Sequence, residues 1–124
     1  KQTAIPDERA HAHRLLDVTL RALHAGIDAA VLGNHIGDIG AAVQAVVEAA
    51  GMTVVRDLVG HGIGVEFHEE PQVPNYGEPK RREKLVAGLT IAIEPILASF
   101  FRYSRFGRGG RRRCENRSRP VSDI

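Results

Sequence analysis

The sequence predicts an α/β domain in which two amphipathic helices pack on one face of an antiparallel sheet. Residues 7–26 and 38–50 repeat apolar side chains with the spacing of a helix. Residues 53–59 are rich in β-branched side chains and residues 85–97 alternate apolar and polar ones, which is typical of strands. A segment rich in glycine and histidine, residues 58–76, lies at the end of the first strand.

The first helix begins near Asp7, because Asp7 and Glu8 place carboxylates at the positive end of the helix dipole. Its predicted buried face carries leucines with helical spacing and smaller neighbours beside them: Leu16, Leu20, Leu23, Leu15, Thr19 and Ala22. Gly26 is predicted to end this helix.

The second helix is predicted to start at an N-cap, Asp38, and to end at Gly51. Residues 27–37 would connect the two helices. The apolar residues of the second helix follow the helical period: Ile39, Ala42, Val43, Val46, Val47 and Ala50. This period predicts an amphipathic helix whose apolar face covers the sheet.

The two predicted strands, residues 53–59 and 85–97, would be separated by a polar loop over residues 71–84. The first strand delivers His61 at its far end. In the second, Leu89, Ile91 and Ile93 should share one face, and the other face should carry Thr90, Ala92 and Glu94.

Size and composition favour a small domain outside the membrane. The 124 residues suffice for a modest core, and the start at Lys1 rather than methionine is expected of a processed or truncated piece. No apolar run approaches membrane-spanning length, and no signal-peptide pattern is present. A single cysteine, Cys114, cannot form an internal disulfide. We therefore expect a cytoplasmic monomer.

Formal charge is unevenly distributed along the chain. Residues 1–98 carry 9 Lys/Arg and 13 Asp/Glu, and residues 99–124 carry 8 Arg and 2 acidic residues, so the net charge changes from −4 to +6 at Ser99. The Gly/Arg composition predicts no regular structure over residues 105–119. We interpret residues 99–124 as a disordered, unrelated or frame-shifted tail. A solvated native tail and a nucleic-acid-binding tail are alternatives, and the scarcity of aromatics disfavours the second.

Three residues carry the functional interpretation. His61 lies between Gly60 and Gly62, His68 follows seven residues later, and Glu94 ends the second strand. Neutral imidazole is the commonest side-chain ligand for transition metals. Simpler roles stay open: a turn cap for His61, a loop position for His68, and a strand-end charge for Glu94. Glu69 and Glu70 are interpreted as solvated.

The segment 58–76 resembles the signature of type I methionine aminopeptidases, which are metal-dependent peptidases of the pita-bread group. The signature requires Gly-His-Gly, an aliphatic and a small residue, a second histidine, and later an aliphatic residue, Asn or His, and an aromatic one. Every position agrees except the first, Leu58, where the family has an aromatic residue or methionine. The stretch from Gly88 to Pro95 resembles the family's Glu-Pro strand. The Gly-His-Gly form favours type I over type II, and the resemblance covers about residues 7–98.

The resemblance implies that residues 1–98 form part of a pita-bread domain that removes N-terminal methionine from peptides or nascent chains. Complete members use two divalent metal ions, Co, Mn, Fe or Zn. By resemblance His61 and Glu94 are metal ligands, and Glu94 also handles the proton of the attacking water. His68 would contact the substrate, and Phe67 would form an apolar wall of the methionine pocket.

This chain departs from the family pattern in its ligand set. Complete members carry two aspartate ligands before the first helix, and no strand with aspartate precedes Asp7 here. They also carry a last glutamate, for which Glu115 is the one candidate beyond Glu94 and has no strand pattern around it. The resemblance therefore implies an incomplete site and slow or absent hydrolysis. Alternatives are an aminopeptidase for X-Pro bonds or other N-terminal residues, and a non-catalytic binding module or decayed fragment.

Overall fold

The computed structural model of the protein describes residues 6–99, 102–104 and 113–115. Helices α1 (Pro6–Ala29) and α2 (Ile36–Ala49) precede the strands. The strands, in chain order, are β1 (Thr53–Val54), β2 (Gly60–Gly62), β3 (Glu69–Val73), β4 (Ile91–Ala92), β5 (Leu97–Ala98), β6 (Arg102–Ser104) and β7 (Arg113–Glu115). Over these residues, neither helix combines the length and apolar character that a bilayer crossing requires.

The predicted class, helices packed on antiparallel strands, is confirmed. β2 lies between β3 and β4 in a three-stranded sheet, and β1 pairs with β5. All of these pairings are antiparallel. Because α2 contacts α1, β1 and β3, it joins the two strand groups into one layered unit.

The buried face of α1 agrees with the predicted one only in part: Ala22 and Leu15 belong to it, and Leu16 and Leu20 do not. Val18 and Ala22 are fully buried, whereas Leu16 and Leu20 are 67% and 55% exposed. Both pairs have i, i+4 spacing, so the sequence offers two apolar stripes. The stripe that faces α2 is the one with the smaller side chains, and smaller side chains let the two helix backbones approach closely.

Gly26 does not end α1, which continues to Ala29. It lies buried at the contact with α2, where an added Cβ would be 2.9 Å from Cγ2 of Val43 and 3.2 Å from Cγ2 of Ile93. The glycine therefore serves close helix packing instead of a C-cap. This contact offsets the roughly 0.5–1 kcal/mol that glycine costs in a helix interior relative to alanine.

Truncating Val18 should cost more stability than truncating Leu16. Val18→Ala removes two fully buried methyl groups and leaves a cavity, so we expect a loss of about 2 kcal/mol in the free energy of unfolding. Leu16→Ala removes a larger but mostly exposed side chain, and we expect a change below about 0.5 kcal/mol. Urea denaturation of both variants measures the difference. The reverse order would mean that the leucine stripe forms the core face.

Helix α2 confirms the predicted helix but begins earlier than expected. His35 occupies the N-cap position, and its backbone N–H donates to the carboxylate of Asp38 at 2.7 Å. Asp38 thus lies inside the first turn of α2 instead of at the N-cap. Its carboxylate accepts a hydrogen bond from a backbone N–H at the helix start, which has no partner within the helix. The predicted end is confirmed, because Gly51 follows the helix with a φ of 72°.

The two predicted strands pair with each other, but each is interrupted. A turn at Arg56 and Asp57 separates β1 from β2. Pro95, which has no N–H to offer a ladder, lies between β4 and β5. The prediction of strand is therefore wrong for residues 55–59, and β2 begins just beyond the predicted first strand. It is also wrong for residues 85–90, and the rest of the second strand is divided at Pro95.

Part of the predicted polar loop over residues 71–84 is a strand. In β3 the side chains alternate, with Pro71 and Val73 buried and the residue between them exposed. Because proline is rare inside sheets, Pro71 made this segment look like a loop in the sequence. Proline is tolerated here because β3 lies at the edge of the three-stranded sheet as described.

Two apolar clusters hold the helices on the strands. The first consists of Val18, Ala22, Val43, Val47 and Met52. The second consists of Ile36, Ile39, Val73 and Leu85, with Leu89, Ile91 and Ile93 packed against it. The predicted alternation of the second strand is therefore confirmed, since its apolar face meets this cluster. On the other face, Thr90 and Glu94 are exposed.

The prediction that residues 105–119 lack regular structure is wrong for Arg113–Glu115. This segment is β7, which pairs antiparallel with β6. Backbone pairing depends on N–H and C=O groups that nearly every residue carries, so it needs no apolar periodicity. The other residues of this range lie outside the described residues.

Candidate metal centre

The register of the sheet brings His61 and Glu94 together. His61 lies opposite Ala92 in the β2–β4 pair, and Glu94 is two residues further along on the same face. Glu94 is thus a diagonal neighbour of His61, a spacing that long side chains can bridge. His61 Nε2 lies 3.5 Å from Glu94 Oε1, so the expected proximity of the two side chains is confirmed.

Gly60 and Gly62 permit the close strand packing around His61. An added Cβ on Gly60 would clash with the backbone oxygen of Ala92, and one on Gly62 would clash with the backbone oxygen of Glu70. Neither glycine has a positive φ. Their role is therefore close backbone approach on both sides of the histidine, rather than a left-handed conformation.

A backbone carbonyl fixes the tautomer of His61. Nδ1 lies 2.9 Å from the carbonyl oxygen of Gly62, and a carbonyl can only accept, so Nδ1 donates. In the neutral ring the lone pair then lies on Nε2. This nitrogen is buried and has no hydrogen-bond partner among the described residues. Its lone pair is directed towards Glu94.

The pair of His61 and Glu94 fits a metal ion. A nitrogen lone pair and a carboxylate oxygen repel each other unless a proton or a cation lies between them. Two ligand atoms about 2.1 Å from one tetrahedral metal are about 3.4 Å apart, close to the 3.5 Å observed. Within the described residues no group of three or more His, Cys, Asp or Glu could hold an ion. The described part of the chain therefore offers two candidate ligands at this centre.

Two further rings complete the group. The ring centroid of His68 lies 4.0 Å from that of His61, and the centroid of Phe67 lies 5.5 Å from it. Both rings come from the segment between β2 and β3 and are exposed, whereas His61 beneath them is 8% exposed. The structure thus gathers the four residues that the sequence singled out, and leaves the Glu94 side chain 48% exposed.

Glu69 and Glu70 bond locally instead of joining the centre. Oε2 of Glu69 accepts the backbone N–H of Glu66 at 3.2 Å. Oε2 of Glu70 accepts the backbone N–H of Gln72 at 3.2 Å. Both residues are exposed, as the sequence interpretation expected, and their carboxylates shape the turn before β3 and its start.

Sequence reasoning assigned no role to Asn75. This residue is 1% exposed, and its Nδ2 donates to the backbone oxygen of Glu94 at 2.7 Å. The available signal was a polar amide between Pro74 and Tyr76, inside the signature. The contact itself joins residues 19 positions apart, so only the folded chain displays it.

Known proteins that resemble this chain are metallopeptidases. The model of metallopeptidase family M24 matches residues 2–116. The methionine aminopeptidase of Clostridium acetobutylicum is 49% identical over 94 residues, which are 76% of this chain and 38% of that protein.

Two crystal structures of methionine aminopeptidases share the fold. The Thermotoga maritima protein has a TM-score of 0.67 at 44% identity, over 68% of this chain and 34% of that one. The Rickettsia prowazekii protein has a TM-score of 0.70 at 35% identity, over 79% of this chain and 41% of that one. The present chain therefore spans only 34–41% of the length of these two structures.

These similarities agree with the architecture described above. The matched region includes both helices, the three-stranded sheet and the four gathered side chains. The fold is part of a pita-bread domain, with two helices on antiparallel strands. By the extent of the family match, this chain belongs to metallopeptidase family M24.

Proposed function

We propose that this chain carries part of the active site of a metal-dependent aminopeptidase that removes N-terminal methionine from new polypeptides. The observation that carries the proposal is the buried Nε2 of His61, which has no hydrogen-bond partner in the described part of the chain and faces Glu94 at 3.5 Å. The methionine aminopeptidases to which the chain is similar support the choice of reaction.

In this proposal His61 and Glu94 hold one divalent ion, with Co, Mn, Fe and Zn as candidates. A bound metal would polarise the peptide carbonyl and activate water for hydrolysis. The Gly62 carbonyl holds the His61 ring so that Nε2, and not Nδ1, is available as a ligand. Glu94 is half-exposed, so its carboxylate can also take a proton from an attacking water.

His68 and Phe67 are proposed to contact the substrate. The exposed ring of His68 lies beside His61, where an N–H could donate to the carbonyl oxygen as negative charge develops on it. Phe67 is 70% exposed and lies next to both histidines. An aromatic face at that position suits the thioether of a methionine side chain.

The proposed substrates are peptides and nascent chains with N-terminal methionine, and the proposed location is the cytoplasm, where such chains emerge. An aminopeptidase for other N-terminal residues or X-Pro bonds would share the same centre. A non-catalytic binding module of the same fold would bind peptide without turnover. The presence of only two ligands in the described residues favours weak catalysis by this chain alone.

We expect the purified chain to bind about one Co²⁺ or Mn²⁺ weakly, and to hydrolyse Met-Ala-Ser slowly or not at all. Two protein ligands leave much of the ion's position to water, and a misplacement of about 1 Å can cost on the order of 100-fold in rate. Calorimetric titration measures binding, and chromatography of released methionine measures turnover. Ala-Ala-Ser and a peptide with proline in second position test the alternative substrates.

Three outcomes would each contradict a different part of this proposal. Robust turnover that is lost in His61→Ala and in Glu94→Gln would show that more than two ligands act. Absence of binding for every divalent ion tried would remove the proposed metal site itself. Faster hydrolysis of Ala-Ala-Ser than of Met-Ala-Ser would agree with the proposed metal site but would contradict the proposed substrate.

A further inference from the structure

Asn75 is a buried polar residue in direct contact with the proposed metal ligand Glu94. Its Nδ2 donates to the Glu94 backbone oxygen at 2.7 Å, while its Oδ1 is buried without a hydrogen-bond partner among the described residues. An apolar side chain of similar shape would remove this unpaired oxygen, but it would leave the Glu94 oxygen without the donor that Asn75 supplies. The bond to Glu94, and not packing alone, therefore favours an amide at this position.

The backbone on both sides of Asn75 is held against α2. An added Cβ on Gly40 would clash with the carbonyl oxygen of Tyr76 and would lie 2.8 Å from that of Pro74. Helix and segment are thus in direct backbone contact. Pro74 is fully buried, and its ring restricts the chain further. The backbone that carries the Asn75 side chain is therefore held in place by these contacts.

Glu94 lies beyond the part of the sheet that would otherwise hold it. The β2–β4 ladder ends at Ala92, and Pro95 has no N–H to pair. The Glu94 carbonyl is bonded by the Asn75 side chain instead of by a neighbouring strand. This bond fixes the orientation of the peptide group that follows Glu94, and therefore the direction in which its side chain leaves the backbone.

We propose that Asn75 is a positioning residue that aims the Glu94 carboxylate at Nε2 of His61. The inference rests on the proposed metal site, because the direction of the Glu94 carboxylate matters for function only if Glu94 binds an ion there. Residues 74–76 pack against α2, so the bond from Asn75 couples the position of Glu94 to that of α2. Asn75 itself touches neither ion nor substrate.

The test compares Asn75→Leu, Asn75→His and the unaltered chain. Leucine keeps the number and branching of the side-chain heavy atoms and removes the donor, so we expect Co²⁺ affinity to fall about 10-fold, the lower end of the range for groups that orient a metal ligand. The thermal midpoint should change little, because removal of the unpaired Oδ1 offsets the loss of the bond to the Glu94 oxygen. Histidine places an N–H at the same number of bonds from Cα, and should recover most of the affinity.

Asn34→Leu is the matched control. Asn34 also donates its side-chain amide to a backbone carbonyl, that of Ala29 at 2.9 Å, but at the end of α1 instead of beside Glu94. This variant should leave Co²⁺ affinity unchanged. Unchanged affinity in Asn75→Leu would overturn the inference, as would a loss of affinity that both leucine variants share in proportion to a loss of thermal stability.

A readout without metal separates this inference from the proposed function. The order parameter of the Glu94 Cα–H bond, from carbon relaxation of the metal-free chain, should fall in Asn75→Leu and recover in Asn75→His. If the unaltered chain binds no Co²⁺, the proposed metal site fails, and a lowered order parameter still supports the role of Asn75. An unchanged order parameter overturns that role whatever the metal data show.

Discussion

His61→Ala is expected to lower the affinity for Co²⁺ by more than about 100-fold, to a level at which titration detects no binding. Loss of a group that only orients a metal ligand costs about 10–100-fold, and loss of one of two direct ligands should cost more. The buried Nε2 of His61 is the nitrogen available at this centre. Glu94→Gln should have a similar effect, because a neutral amide binds divalent ions far more weakly than a carboxylate.

His68→Ala is the matched control for this prediction. It removes the same type of ring at a centroid distance of 4.0 Å from His61, but that ring is assigned to the substrate and not to the ion. We expect its Co²⁺ affinity to stay within about 3-fold of the unaltered chain, within the usual context-dependence of such effects. Equal loss in both histidine variants would make His68 a ligand and would contradict the assignment.

Gly60→Ala is expected to destabilise the chain by about 3 kcal/mol, at the upper end of the cost of overpacking. The new methyl group would collide with the backbone oxygen of Ala92. A backbone atom cannot rotate away as a side chain can, so β2 and β4 must separate. This separation would also widen the gap between His61 and Glu94, and Co²⁺ binding should be lost together with stability.

Gly64→Ala provides the comparison within the same motif. The atoms nearest to its added Cβ would be those of the Glu69 carboxylate, which belongs to a flexible and exposed side chain. We expect a cost below about 1 kcal/mol, as for most exposed positions. Urea denaturation gives both free energies of unfolding. Similar costs for the two alanines would show that close approach of β4 is not what requires glycine at position 60.

Local periodicity was sufficient for the elements that depend on nearest neighbours along the chain. The spacing of apolar residues identified α2, and the alternation around Ile91 identified which face of β4 meets the core. It was insufficient for α1, where two stripes share one spacing and only contact with α2 selects Val18 over Leu16. Gly26 was misread for the same reason, since a helix-ending and a helix-packing glycine look alike in sequence.

For the centre, the sequence alone identified the candidate residues, because His61 and His68 match a known signature and Glu94 lies in a stretch that resembles the Glu-Pro strand of the same family. The tertiary structure decided how they meet. Pairing of His61 with Ala92 places Glu94 3.5 Å from Nε2, and the Gly62 carbonyl selects the tautomer. These outcomes, like the bond from Asn75 to Glu94, depend on strand register and on packing between segments far apart in the chain, which no local pattern encodes.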